Sequence, residues 1–144
     1  GIKKIMIENL QDYFKSNYEV YLENIVYTRI EDEFTANVYQ LNGVDTIETK
    51  LQEDCIKISV KRKLEFSPKS VFCLEITYGA LLEFADEKGG EHDWENVNLA
   101  KEFKLNGQFV LDNLMRRISL LTAEITSSSG QAPIIIKPEI APKQ

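Results

Sequence analysis

The fold of this chain is decided by residues 71 to 84, which read Val71-Phe-Cys-Leu-Glu-Ile-Thr-Tyr-Gly-Ala-Leu-Leu-Glu-Phe84. Apolar side chains alternate along the stretch, and one face of a strand here would carry Phe72, Leu74, Ile76, Tyr78, Ala80, Leu82 and Phe84. Alternation of this length predicts a β-strand with one face well buried. Gly79 stands in its interior, which indicates a bulge, a bend or a close backbone approach.

The residues upstream predict three more strands. Alternating stretches lie at 20–34 and 55–66, and a shorter one lies at 46–51. The connection at 35–45 contains Asn42-Gly43, which is a turn signal. In the 55–66 stretch, an arginine interrupts an otherwise apolar inward-facing set, which consists of Ile56, Ile58, Val60, Arg62, Leu64 and Phe66.

Downstream of the strands, the pattern becomes helical. Apolar residues recur every three or four positions through 107–126, which predicts one long helix. Its apolar arc is wider than one sheet face requires, as is typical of a helix packed between two layers. Strands followed by one long helix predict an α+β fold, in which an antiparallel sheet carries the helix on one face.

The remaining segments complete a single domain of 144 residues. Residues 1–17 form an N-terminal extension, whose apolar spacing predicts a short amphipathic helix through Ile7, Leu10 and Phe14. Residues 85–104 predict a packed connection with some helical turns. Residues 131–144 form a proline-containing tail.

Charge and composition narrow the function classes. Seventeen basic against 23 acidic residues give a net charge of −6, which argues against a nucleic-acid binder. No apolar run approaches the roughly 18–20 residues of a membrane span, so we expect no membrane insertion and a cytoplasmic protein. The two cysteines, Cys55 and Cys73, lie in predicted strands, which favours buried free thiols over a disulfide.

No constellation of catalytic or metal-binding residues stands out. His92 is the one histidine and lies in a charged, glycine-rich loop, so we expect no zinc site. Glu75 and Glu83 would share a strand face, but eight residues separate them by about 26 Å, too far for a carboxylate pair. We therefore expect neither an enzyme nor a bound cofactor.

The sequence contains more apolar side chains than its predicted core requires. The aromatic and aliphatic residues are more than a sheet and one helix can cover. The surplus residues lie among charged residues on a strand or in connections, namely Tyr21, Ile25, Tyr27, Phe34, Val38, Tyr39, Leu41, Val44, Trp94 and Ile134 to Ile136. Such a surplus is typical of partner or oligomer contacts. It suits a chaperone that holds unfolded chains, because apolar grooves bury client side chains without reading a sequence and without nucleotide. The negative net charge would favour basic clients.

Two motifs, in the right order, resemble the SecB family of export chaperones. Glu75-Ile76-Thr77-Tyr78-Gly79, running on to Leu82 and Phe84, resembles the family's Glu-Val-x-Tyr-x-Gly-x-Phe strand. Downstream, a helix with Ile118-Ser119 is followed by Gly130-Gln131-Ala132-Pro133, a short apolar run and Pro138, as in SecB-like chains. The resemblance covers roughly residues 20 to 140.

The resemblance implies a four-stranded antiparallel sheet with a long crossover, here 35–45, between the first two strands. Residues around the crossover and the 85–104 connection would line a client groove: Phe34, Val38, Tyr39, Leu41, Val44 and Trp94. The exposed sheet face would meet the translocase ATPase through Glu23, Glu31 and Glu75. The long helix would pair in a homo-oligomer, a dimer or a dimer of dimers, through Leu114, Ile118, Leu121 and Ile125.

These observations predict an ATP-independent holdase for unfolded or precursor polypeptides, and the resemblance implies a role in protein export. Many members have a second C-terminal helix where this chain has its tail, which leaves the export role open. One alternative is a SecB-like module for one dedicated partner, such as an antitoxin. Another is a pure assembly protein or a small-ligand module, since other folds also wrap a sheet on a long helix.

Overall fold

Strands precede helices along this chain. The computed structural model of the protein describes residues 7–31, 38–86 and 88–140. The strands are β1 (Glu19–Ile30), β2 (Gln40–Leu51), β3 (Cys55–Ser67) and β4 (Val71–Glu83). The α-helices are α1 (Leu99–Asn106) and α2 (Gln108–Ser128), and short 3₁₀ turns lie at Leu10–Tyr13, Lys88–Gly90 and Trp94–Asn96.

The strands form one antiparallel sheet in the order β1-β4-β3-β2. The β3–β4 hairpin occupies the centre, with Leu64 opposite Leu74. β1 and β2 lie at the two edges, so these consecutive strands are not neighbours and their connection is a crossover. These findings confirm the predicted α+β fold, its four-stranded antiparallel sheet and its crossover.

The alternation in residues 71–84 separates a buried face from a partly open one. The inward-facing side chains of β4 are at most 1% exposed at Phe72, Leu74, Ile76, Ala80 and Leu82. Helix α2 packs over β4 and β3, and α1 lies beside β2. Full burial of a large aliphatic side chain stabilises a fold by about 1.5–3 kcal/mol, so this covered face forms the centre of the core.

A close contact across the sheet requires glycine at position 79. Gly79 is opposite Tyr21 of β1, and a β-carbon on residue 79 would lie only 2.7 to 2.8 Å from atoms of the tyrosine ring. The register of β1 shifts between Leu22 and Asn24, which marks a bulge next to this pair. The predicted close approach is therefore made by an aromatic side chain rather than by backbone.

The second strand is longer than its alternation predicted, and the turn prediction at Asn42-Gly43 is wrong. β2 has 12 residues and passes straight through both positions, with Gly43 opposite Leu64. A β-carbon on residue 43 would lie 3.1 Å from the Leu64 side chain, so glycine here leaves room for a core residue. Pairing with β3 overrides the local turn preference, because strand formation depends strongly on cross-strand packing.

The described part of the N-terminal extension packs on the sheet without forming the predicted α-helix. It contains a single 3₁₀ turn, because Asn9 adopts a left-handed φ of 56° and Phe14 bridges to Phe84 in an extended conformation. The apolar anchors are nevertheless buried, namely Ile7, Leu10 and Phe14. Residues 1–6 lie outside the described residues.

Most other boundaries agree with the sequence pattern. The predicted helix 107–126 is observed as α2, and the 85–104 connection holds α1 and two 3₁₀ turns. β1 ends at Ile30, and residues 32–34 of the predicted strand lie outside the described residues. Cys55 and Cys73 are free, as predicted, and half-buried. No helix in the described ranges is long and apolar enough to cross a membrane.

Candidate functional site

A groove runs along the outer edge of β2. It has a volume of about 320 Å³ and lies between that edge and helix α1. The strand side contributes Val44 and Ile47, the helix side contributes Ala100, Lys101 and Lys104, and the tail contributes Ile140. Val44 is 59% exposed and pairs with Lys63 on the open face of the sheet, so its apolar side chain borders the groove at the strand edge, whereas Ile47 pairs with Val60 on the helix-side face.

The local sequence explains why α1 forms one wall. The Asn98 side chain caps the helix by accepting a hydrogen bond from the backbone N–H of Lys101 at 3.2 Å. Leu99 and Phe103 are buried, which fixes one side of the helix on the core. The other side is thereby turned outward, and its Lys101 and Lys104 are exposed along the groove.

The opposite wall is the edge of a strand. Among the strands that the structure describes, β2 pairs only with β3. The outer edge of such a strand presents backbone N–H and C=O groups, and an extended peptide can add to it by hydrogen bonding. The groove therefore combines apolar lining with backbone hydrogen-bonding groups.

A buried ion pair joins β3, β2 and the tail next to this groove. The guanidinium of Arg62 donates two hydrogen bonds to the carboxylate of Asp45, at 2.7 and 2.8 Å, and these side chains are 3% and 0% exposed. Arg62 also donates to the carbonyl oxygens of Lys137 and Glu139, at 3.1 and 2.7 Å. These bonds hold the extended tail in place, so that Ile140 ends in the groove.

This four-residue contact was missed in the sequence. The sequence pattern shows Arg62 only as an interruption of an inward-facing set, and it places Asp45 in a connection. The available signal was the arginine itself, because a charged side chain on a buried face needs a partner. Nothing in the spacing of the residues identified that partner.

The structure brings together only some of the residues predicted for a client groove. Val44 lines the groove, and Leu41 lies three residues earlier on the same strand, so both belong to β2 rather than to the crossover. Val38 is 79% exposed just before β2, and Tyr39 is half-buried. Phe34 lies outside the described residues.

Trp94 lies at the other end of β2 and does not line this groove. It borders a separate depression of about 420 Å³ together with Leu51 and His92. Val44 stands seven positions before Leu51, which is roughly 23 Å along a strand. The tryptophan is 5% exposed and packs on Phe84 with ring centroids 5.1 Å apart, so it anchors the 85–104 connection to the core.

The open face of the sheet carries mixed charges rather than a purely acidic surface. Glu23 and Glu75, which were expected there, line a shallow depression of about 250 Å³ together with Lys61. Lys57 donates to the Glu23 carboxylate at 2.6 Å, and this hydrogen bond is the main reason that the pKa of Lys57 is raised. Glu31 follows the last residue of β1 and is exposed.

The residues predicted for an oligomer interface divide along α2. Leu114 and Ile118 are fully buried, on the helix that packs over β4 and β3. Covered by the chain's own sheet, they offer no surface to a second copy. Leu121 and Ile125, further along the helix, are half-buried.

A second apolar surface lies on β1. Leu22, Ile25 and Tyr27 occupy the helix-side face of the strand and are 46%, 39% and 37% exposed, because the helices pack over β2, β3 and β4 instead. Tyr27 stacks on Phe72 with centroids 5.5 Å apart. We call Leu22, Ile25 and Tyr27 the β1 patch.

The polar groups offer no metal site within the described residues. No group of three or more His, Cys, Asp or Glu side chains there could hold a metal ion. The Nε2 atom of His92 lies 2.8 Å from the Tyr13 hydroxyl, and the imidazole packs edge-on against Trp94. These contacts give His92 a packing role.

A comparison with solved structures identifies the architecture. The SecB-like chaperone Rv1957 of Mycobacterium tuberculosis, solved in complex with a ChAD peptide from the antitoxin HigA1 (Rv1956), matches this chain with a TM-score of 0.61. The fold is SecB-like. The match covers 83% of this chain and 86% of the other, at 11% sequence identity. No family model and no curated protein matches the sequence, so the SecB-like assignment is one of fold.

Proposed function

We propose that this SecB-like protein is an ATP-independent chaperone that binds unfolded or incompletely folded segments in the β2–α1 groove. The observation that supports this most is the combination of an exposed aliphatic lining, at Val44, with the edge of a strand. Unfolded chains expose apolar side chains and unpaired backbone groups. A groove of this kind can bury apolar side chains and hydrogen-bond to the backbone of a client without requiring a particular client sequence.

One groove alone would bind a client weakly. A single buried aliphatic side chain contributes about 1.5–3 kcal/mol, whereas a dissociation constant of 1 μM corresponds to about 8 kcal/mol. A long client that also contacts the groove of a second copy in an oligomer would gain affinity by multivalency. The proposal therefore includes a homo-oligomer, with Leu121, Ile125 and the β1 patch as its contact surface.

A dedicated client is the second candidate function. It is favoured by the occupant of the similar structure, which is a peptide from an antitoxin. On this proposal the groove serves one partner protein instead of many unfolded chains. Export of precursors through a translocase remains part of the broader proposal, with Glu23, Glu31 and Glu75 as its docking residues, although Lys57 and Lys61 make that face mixed in charge.

The first experiment measures light scattering of a chemically unfolded, aggregating client, with and without the protein and in the absence of ATP. We expect suppression at a near-stoichiometric ratio. Val44→Asp places a charge in the groove and should weaken suppression several-fold. Ile135→Asp is the matched control, because Ile135 is 83% exposed and does not line the groove.

Each result separates the candidates. Suppression that Val44→Asp and Ile135→Asp weaken equally would place client binding outside the β2–α1 groove. No suppression of any of several clients by a folded protein would contradict a general holdase. The dedicated partner or the pure assembly role would then replace it.

A further inference from the structure

The β2–α1 groove is positively charged, although the chain as a whole carries a net charge of −6. Lys101 and Lys104 line it and stand three residues apart, so their side chains share one side of α1. Neither ammonium group forms an ion pair with any residue in the described part of the chain. The acidic lining residue, Asp45, is neutralised by Arg62.

The acidic residue of α1 does not offset these charges. Glu102 is 2% exposed and accepts a hydrogen bond from the backbone N–H of Ile7 at 2.9 Å. Its carboxylate is thus turned into the core and towards the N-terminal segment. The exposed side of α1 presents its two lysines to whatever occupies the groove.

The tail indicates what kind of side chain fits. Ile140 lines the groove from an extended segment whose carbonyl oxygens at Lys137 and Glu139 accept hydrogen bonds from Arg62. The side chain in place is therefore a branched aliphatic one. The residue before it, Glu139, is exposed and acidic.

We propose that the groove selects extended segments in which a branched aliphatic residue is flanked by acidic residues, and that Lys101 and Lys104 set this preference. The inference rests on the proposed function of the groove as a client site. This preference for acidic segments is opposite to the preference for basic clients that the net charge of the chain alone predicts. Local charges decide the outcome, because ions screen interactions beyond about 8 Å at physiological ionic strength.

The test compares three labelled peptides of equal length by fluorescence anisotropy. Each has a central isoleucine, which is flanked on both sides by glutamate, glutamine or lysine. We expect the glutamate peptide to bind roughly three- to tenfold more tightly than the lysine peptide at low salt, with the glutamine peptide between them. The difference should shrink at about 0.5 M salt.

Two charge-reversal variants make the test specific. Lys101→Glu/Lys104→Glu should reverse the order of the three peptides. Lys15→Glu/Lys88→Glu changes the net charge by the same amount at the end of the sheet near Phe84, where neither lysine lines the groove, and should keep the wild-type order. Circular dichroism establishes that both variants are folded, and Lys101→Glu alone serves if the double variant is not.

The outcomes distinguish this inference from the proposed function. Tighter binding of the lysine peptide, or an order that the Lys101 and Lys104 variants leave unchanged, overturns the acidic preference while the client site stands. Binding of none of the peptides while client aggregation is still suppressed also overturns it. If neither peptide binding nor suppression is seen, the proposed function fails as well.

Discussion

The Arg62 guanidinium and the Asp45 carboxylate form a two-point ion pair in the interior, with N–O distances of 2.7 and 2.8 Å. The pair connects a central strand to an edge strand, and Arg62 also holds two carbonyl oxygens of the tail. Each charge is removed from water, so each depends on the other for compensation.

Removing one partner of this pair should destabilise the protein strongly. Arg62→Met removes the guanidinium that pairs with the buried Asp45 carboxylate, and we expect the free energy of unfolding to fall by about 3–5 kcal/mol. Arg62→Met/Asp45→Leu removes both charges and should be more stable than the single variant. Urea unfolding followed by circular dichroism measures both, and a double variant less stable than Arg62→Met would contradict this account.

Gly79→Ala should be unfavourable only while Tyr21 is present. The added β-carbon would meet the tyrosine ring at 2.7 to 2.8 Å and displace it from β4, with an expected loss of about 1 kcal/mol in the free energy of unfolding. In a Tyr21→Ala background the same substitution should stabilise the protein by about 0.5–1 kcal/mol, because alanine leaves the unfolded chain fewer backbone conformations than glycine does. Thermal unfolding of the four chains of this cycle checks the change of sign.

Glu102 should hold the N-terminal segment through one oxygen atom. Glu102→Ala leaves the Ile7 backbone N–H without its acceptor and should lower the free energy of unfolding by about 1–3 kcal/mol. Glu102→Gln keeps an acceptor oxygen and should lie closer to wild type. Hydrogen exchange at Ile7 is the direct measurement, and equal protection in wild type and Glu102→Ala would refute this role.

Cys55 should react slowly with alkylating reagents. Burial is the main cause of its raised pKa, and the charges of Asp54 and Glu83 add to it. A raised pKa lowers the thiolate fraction at any given pH, so in a Cys73→Ser chain the alkylation rate at pH 8 should be below that of a free thiol peptide. Asp54→Asn should increase the alkylation rate of Cys55, whereas the control Asp12→Asn should not. Equal alkylation rates with and without Asp54→Asn would argue against the charge effect.

The alternating residues of β4 were sufficient to predict a strand, its buried face and a sheet. Side chains on a strand alternate by geometry, so burial of one face leaves a direct record in the sequence. The helical period of the apolar residues in α2 likewise records which side of the helix is buried. The turn prediction at Asn42-Gly43 was wrong because the turn preference of these two residues is local and weak, whereas β3 pairs with β2 along the whole strand.

The candidate site was predictable only in part. Val44 was identified as surplus apolar surface, but its neighbours across the groove, Lys101 and Lys104, belong to a helix more than fifty residues later in the sequence. Trp94 was grouped with it by composition, although packing on Phe84 carries it to the opposite end of β2.

The sequence by itself determined the α+β class, the strand order along the chain and the faces that are buried, because these depend on local periodicity. Only the tertiary structure decided that Arg62 compensates Asp45, that both lie beneath the tail, and that α1 stands beside the edge of β2. Those contacts join residues far apart in the chain. They follow from how sheet, helices and tail pack together, for which the spacing of residues leaves no signal.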